Sequence, residues 1–263
     1  MSRRGVAEFA GYGDDVARAR WILALLATTL ATAVAPAAGI GLFTPDPAEA
    51  ASSPTPAHLR PELVGNAGQL VVVSSSSWTS TFASVTLYEH RANGWVAVNR
   101  LPFSARVGRH GTSLSHLEGD GTSPAGSFPL LSAFGAATVG HTRLAYTKVH
   151  DGSCWISDAS RADYNTMVDQ KPCSGANEDL NRIARGGPYA RAIVTGYNIG
   201  PIVPGKGSAI FIHLHSRTAS GATRATSGCV SLSPGSMATL WSWVDPAKHP
   251  RVVIGPSTWL TGA

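Results

Sequence analysis

Gly207-Ser208-Ala209-Ile210-Phe211-Ile212-His213-Leu214-His215 reads as a β-strand that ends in two histidines, and Thr226-Ser227-Gly228-Cys229-Val230 follows it across a short loop. Strand, loop and thiol in that order are a workable layout for covalent chemistry. A cysteine attacks an acyl carbon only as thiolate, so it needs an imidazole to take its proton and a third group to hold that imidazole. Alternation along the strand puts Phe211, His213 and His215 on one side and Ile210, Ile212 and Leu214 on the other, so direction alone lets either histidine face the thiol. Gly228 permits a tight turn before Cys229, in which the backbone N–H groups of Gly228 and Cys229 can point at a developing oxyanion.

Strand signals dominate the chain outside this stretch. Residues 69–74 form an apolar, valine-rich run. Asn93-Gly94 separates the alternating run around Val85 and Leu87 from the run 95–98, which predicts a β-hairpin. Residues 190–195 and 251–255 carry the Ile/Val content of buried strands. Helices are few. One starts with Ser233 as N-cap and Pro234 at the first helical position, and it places Met237, Leu240, Trp241 and Val244 on one face. A shorter one is expected over 177–185, with Glu178 and Asp179 in its first turn and Gly186 beyond its end.

The 263 residues are 43% hydrophobic and 14% charged, which supplies a substantial core and excludes a disordered chain. The net charge of +5 fits a soluble basic surface, and no Lys/Arg run interleaved with aromatics marks a nucleic-acid face. The glycine-rich segment 119–126 lacks the Gly-Lys-Ser/Thr of a phosphate cradle, and Asp120 in it reads as a turn former. In residues 1–50, Arg18 and Arg20 precede an apolar run, and Ala48-Glu49-Ala50 resembles a cleavage site. The segment is read as an export signal or a retained N-terminal membrane anchor, which predicts a secreted or cell-envelope protein. The Pro/Ser/Ala-rich residues 51–62 read as an extended linker to a single domain over 63–263. Export permits disulfides. Cys154 and Cys173 lie 19 apart and can close a loop, which leaves Cys229 as a free thiol.

Together these segments resemble the L,D-transpeptidases of the YkuD/ErfK type. The resemblance is carried by Ile212-His213, by Thr226-Ser227-Gly228-Cys229-Val230, by Gly119-Asp120-Gly121-Thr122-Ser123-Pro124-Ala125-Gly126, and by Gly196-Tyr197-Asn198 leading to Gly207-Ser208-Ala209. It covers about residues 64–256. It implies a mainly β catalytic domain, a β-sandwich or open barrel with a few short helices, that works without a cofactor on peptidoglycan stem peptides. Cys229 would form a thioester with the stem peptide, and an amine of a neighbouring stem would resolve it. The family places its base directly after an Ile-x-Ile-like run. That selects His213, with the backbone carbonyl of Leu214 as the group that holds it. His215 is then left nearer the strand end to touch substrate, and Tyr197, Ser227 and Gly228 become candidate substrate or oxyanion contacts. Ser227 replaces the histidine usual before Gly-Cys, and Ser231 stands where many members carry Arg or Asn. Both departures bear on donor and acceptor choice.

Three other readings use the same residues. A hydrolase of the same fold, an L,D-carboxypeptidase, would resolve the thioester with water. His213 and His215 on one strand face, with Cys229 as a third ligand, would suit a zinc hydrolase, although no carboxylate motif accompanies them. A wall-binding protein could keep the fold and have lost activity through Ser227 and Ser231.

Overall fold

The computed structural model describes residues 53–136 and 141–263, so the expected export segment and the first two residues of the expected linker lie outside the described residues. Among the described residues no helix is long and apolar enough to cross a membrane.

The apolar runs form β1 (Gln69–Ser75), β2 (Phe82–Arg91), β3 (Gly94–Ala97) and β4 (Phe103–Arg106). The glycine-rich segment holds the short pair β5 (Thr112–Ser113) and β6 (Ser123–Pro124), followed by β7 (Gly126–Gly135) and β8 (Tyr146–Lys148). Three short strands come next: β9 (Ser153–Trp155), β10 (Met167–Asp169) and β11 (Glu178–Asp179). The chain ends with β12 (Ala192–Thr195), β13 (Phe211–Leu214), β14 (Val230–Leu232) and β15 (Arg251–Pro256). The helices are α1 (Pro61–Val64), α2 (Leu180–Arg185), α3 (Pro234–Trp243) and α4 (Ser257–Thr261).

The main sheet runs β1-β15-β7-β12-β13-β14-β4-β2, and β2 pairs back onto β1, so the hydrogen-bonded ring closes into a barrel-like sheet. Closure removes the free edges that an open sheet would present. The expected hairpin is β2–β3, with Arg91 opposite Gly94 and Tyr88 opposite Ala97. Gly94 takes a φ of 101°, the positive value its turn requires.

Alternation along the strands sorts the side chains into an inner cluster and two outer ones. Val71, Val85, Leu87, Ile193, Ile212 and Val252 point inward and pack with the apolar face of α3. Ser233 caps α3 by accepting from the Ser236 N–H, as its sequence predicts. On the outside of β1 and β15, Leu70, Val72 and Val253 are covered by Leu59, Leu63 and Leu260. On the outside of β12 and β13, Ala192, Val194 and Phe211 are covered by Trp155, Leu180 and Tyr189.

Two expectations need correction. From residue 53 onward the Pro/Ser/Ala-rich segment is not an extended linker: Pro56–His58 forms a 3₁₀ turn, Pro61 opens α1, and Leu59 and Leu63 are buried on the barrel. Apolar burial outweighs the segment's extended-chain composition. The helix expected over 177–185 begins only at Leu180. Asp179 is its N-cap, accepting from the Arg182 N–H, while Glu178 and Asp179 pair as β11 with Trp155 and Cys154 of β9. The Cys154–Cys173 disulfide, with an S–S distance of 2.02 Å, ties the chain just ahead of that segment to β9.

Candidate active site

Cys229 stands one residue before β14, which runs parallel to β13 with His213 opposite Ser231. The thiol is buried. It lies 3.2 Å from the Ala209 carbonyl, to which it donates, and accepts from the Phe211 N–H at 3.4 Å. Ala209 reaches that position with a φ of 54°, which delays the regular strand: β13 starts at Phe211, four residues after the Gly207 at which its sequence suggests a start. Asn165 secures the bend by accepting from the Ala209 N–H and the Trp155 indole through its Oδ1.

The loop ahead of the thiol is held from both sides. Thr226 Oγ1 and Ser123 Oγ both donate to the Cys229 carbonyl, and the Arg109 N–H donates to the Thr226 carbonyl. At Gly228 a Cβ would meet the Ile210 side chain at 3.0 Å and the Thr122 carbonyl at 3.1 Å, so the close approach of the 119–126 segment requires glycine there. The Gly228 N–H donates to Thr226 Oγ1 at 3.2 Å, so in this state it is already engaged. Ser227 is exposed at the rim and accepts from the Arg109 guanidinium.

Cys229 and His213 line the same cavity, of about 320 Å³, with Glu178, Tyr189, Ser227 and Arg224 among its other walls. His213 Nδ1 lies 2.7 Å from the Leu214 carbonyl. A carbonyl only accepts, so Nδ1 carries the hydrogen and Nε2 of the neutral ring is left as the basic nitrogen. Burial, opposed by the Leu214 bond, holds the imidazole neutral by pulling its pKa from 6.5 to about 4. Burial, together with the charge of Glu178, pushes the Cys229 thiol up to about 12. The resting pair is therefore neutral thiol and neutral imidazole, not an ion pair.

The remaining expected site residues do not all converge. His215 leaves the cavity wall: its Nδ1 lies 2.9 Å from Ser231 Oγ, and burial with nearby Arg217 and Arg106 lowers its pKa to about 4. Tyr197 is also outside the wall, and its hydroxyl donates to the backbone carbonyl of Lys206. Among the described residues no three His, Cys, Asp or Glu side chains are grouped to hold a metal, so the His213/His215/Cys229 zinc set is not assembled. Asp120 forms the expected turn, accepting from the N–H groups of Leu117 and Thr122, and also pairs with His116 at 3.0 Å.

The structure adds cavity residues that the sequence did not single out for the site. His116 is buried, packs edge-on against Tyr197 and lines the cavity from the glycine-rich segment. Tyr189 packs edge-on against His213 at 5.1 Å between ring centres and donates to Glu178 Oε2 at 2.7 Å. Each reaches Cys229 only through long-range folding, which no local spacing encodes.

His213, with its Nδ1 held by the carbonyl of Leu214, thus shares a cavity with Cys229, which stands one residue before the neighbouring parallel strand. The family description "L,D-transpeptidase catalytic domain", YkuD, matches residues 84–254. The chain belongs to that family. A comparison with curated proteins finds no match. As a YkuD domain the chain is of the L,D-transpeptidase type, whose field of action is the peptidoglycan of the cell wall. The match runs from within β2 to within β15, so every strand of the closed ring apart from β1 falls at least partly inside it.

Proposed function

We propose that this YkuD protein is an exported cysteine acyltransferase that acts on peptidoglycan stem peptides, with Cys229 as nucleophile and His213 as base. The observation that carries the reading is the cavity shared by Cys229 and His213, in which the tautomer fixed by the Leu214 carbonyl leaves His213 Nε2 free to accept a proton. A donor peptide bound there displaces water and brings its carbonyl to Sγ. The thiol proton passes to Nε2, the S–C bond forms, and a tetrahedral oxyanion develops. Its collapse breaks the C–N bond to the terminal D-residue, and the imidazolium returns its proton to the leaving amine. An amine of a second stem then attacks the thioester and loses a proton to Nε2, the C–S bond breaks as the new C–N bond is kept, and the imidazolium returns that proton to the sulfur to restore the free thiol.

The test is intact-mass spectrometry of wild type and Cys229→Ala after exposure to a tetrapeptide-bearing wall fragment and, separately, to a carbapenem, the inhibitor class that the family resemblance implies. The expected result is an adduct on wild type alone, with a product whose mass is that of two joined stems. A product shortened by one residue with no joined species would assign hydrolysis instead. An adduct that persists in Cys229→Ala would overturn the nucleophile.

A further inference from the structure

The cavity wall beside His213 carries a hydrogen-bonded pair that the acyl-transfer scheme does not use. Glu178 is placed by β11, which the disulfide-tied strand β9 holds in register, with Glu178 opposite Trp155. Tyr189 is placed by the 3₁₀ turn Pro188–Ala190 that leads into β12, and its ring is clamped edge-on by Phe134, Phe211 and His213. Its hydroxyl donates to Glu178 Oε2 at 2.7 Å and also interacts with the side chain of Cys229. A phenol has one hydrogen to give. Tyr189 therefore stands between two acceptors that compete for it, the carboxylate and the sulfur.

We propose that Tyr189 is the hydrogen-bond donor that stabilises the Cys229 thiolate, and that Glu178 governs this by holding the Tyr189 hydrogen when ionised and releasing it to the sulfur when protonated. The inference rests on the reading of Cys229 as nucleophile and adds a control on when the nucleophile is charged. The proton balance is closed. Protonated Glu178 no longer needs the phenol's hydrogen and can itself donate to the phenol oxygen, and the phenol's hydrogen then turns to Sγ as the thiol proton leaves to His213. Two negative charges, on Glu178 and on the sulfur, oppose each other in a water-poor cleft, so ionisation of one disfavours ionisation of the other.

The groups facing Glu178 support this role. Burial is the main cause that raises its pKa to about 7, with Glu118 adding to the rise and the Tyr189 hydrogen bond and Arg182 opposing it. A carboxyl that titrates near neutrality beside a nucleophile changes charge in the range where an enzyme works. On the other side of the pair, Tyr189 is held un-ionised by burial and by the neighbouring Glu178 and Cys229, so it acts as donor throughout that range.

The experiment is alkylation of Cys229 by iodoacetamide in the full chain between pH 6 and 8.5, followed by intact mass. It needs no wall substrate, so failure of this inference and failure of the acyl-transfer reading are distinguishable. Tyr189→Phe removes only the hydroxyl and is expected to slow alkylation at pH 6, where protonated Glu178 leaves the hydrogen to the sulfur, whereas Glu178→Gln removes the competing charge and is expected to speed alkylation at pH 8. Each change is expected to be about five-fold or more, given that one pKa unit is a ten-fold change in thiolate. In wild type the logarithm of the rate should climb with pH at a slope below one near neutrality, because Glu178 loses its proton over the same range. In Glu178→Gln the slope should return to one. Changes of the same sign in both variants, which lost packing would give, or a wild-type slope of one throughout, would overturn the proposal.

Discussion

The barrel buries two patches of its outer surface, and only one of them encloses the site. Over β1 and β15 the cover is aliphatic: Leu59, Leu63 and Leu260 close on Leu70, Val72 and Val253. Over β12 and β13 the cover is a disulfide-tied strand and a 3₁₀ turn. They bring Glu178 and Tyr189 to a wall that already holds His213 and Cys229. Aliphatic side chains pack to crystal-like density and leave no room. A carboxylate, a phenol, an imidazole and a thiol must each keep a polar partner, and the cover that satisfies them leaves a cavity of about 320 Å³. The same barrel wall thus serves stability where its cover is apolar and chemistry where its cover is titratable.

The strongest way to break this contrast is at His213. His213→Ala is expected to lower the single-turnover rate of Cys229 acylation by about 100-fold to 10,000-fold, the usual loss when a general base is removed. A fall of less than ten-fold, with the fold intact by circular dichroism, would return His213 to the role of a buried packing residue.

On the aliphatic face the expectation is reversed. Leu63→Ala is expected to cost about 2–5 kcal/mol of unfolding free energy through the cavity it leaves, while the acylation rate of the folded molecules stays at the wild-type value. Urea unfolding and single-turnover acylation on the same preparation read both quantities. A large rate change from Leu63→Ala would mean that the two faces are coupled.

The disulfide sharpens the comparison, because it supports the cover of the active face alone. The double variant Cys154→Ser/Cys173→Ser opens a loop with a sequence separation of 19 and is expected to lose about 3 kcal/mol on the chain-entropy account. It should also make Cys229 more accessible to bulky thiol reagents, since β9 and β11 no longer hold the wall. Thermal melts and alkylation rates check the two effects. Unchanged access would show that the wall stands without the bridge.

Acid adds a signature of the active face. His213 and His215 are both held near 4, against 6.5 for an ordinary histidine, so in the folded chain they stay neutral as the pH falls. The unfolded chain takes up those protons from about 6.5 downward, and stability is therefore expected to fall between pH 6.5 and 4. His213→Gln should flatten that slope in urea titrations at pH 7 and 5. A slope left unchanged would show that His213 is solvated.

How much of this was legible in the sequence depends on the range of the interactions. The β2–β3 hairpin and the Ser233 cap are local, and Asn93-Gly94 and Ser233-Pro234 announce them. Ile212-His213 and Gly228-Cys229 were legible as a pair because the proposed base and nucleophile lie in two short runs, whose His213 and Cys229 line one cavity. Glu178 was read as a helix residue because its neighbours favour a helix start, and the pairing that makes it a strand comes from Cys154 and Trp155, more than twenty residues away. Burial of Leu59 and Leu63 was hidden for a related reason: Pro, Ser and Ala dominate the composition of residues 51–62, while two leucines decide the packing. The left-handed bend at Ala209 carries no sequence signal, since alanine does not favour it.

The smallest expected effect tests the register of β13, on which the assignment of the base depends. His215 follows the strand by one residue and its N–H still donates to the Leu232 carbonyl, so it sits one pleat beyond His213 on the same side. Its Nδ1 is spent on Ser231 and its ring lies outside the cavity wall, which leaves it a support of β14 with no path to the thiol. His215→Ala therefore leaves Ser231 without its partner, at a cost of about 1 kcal/mol for one hydrogen bond, and should change acylation by less than ten-fold. Ser231→Ala, which removes the other half of the same bond, should give a matching loss of stability and a matching small change in rate. The comparison that decides is the ratio of acylation rates in His213→Ala and His215→Ala. If His215→Ala is the inactive one, the strand is read one pleat out of register, and the base, its tautomer and the carbonyl that fixes it all move with it.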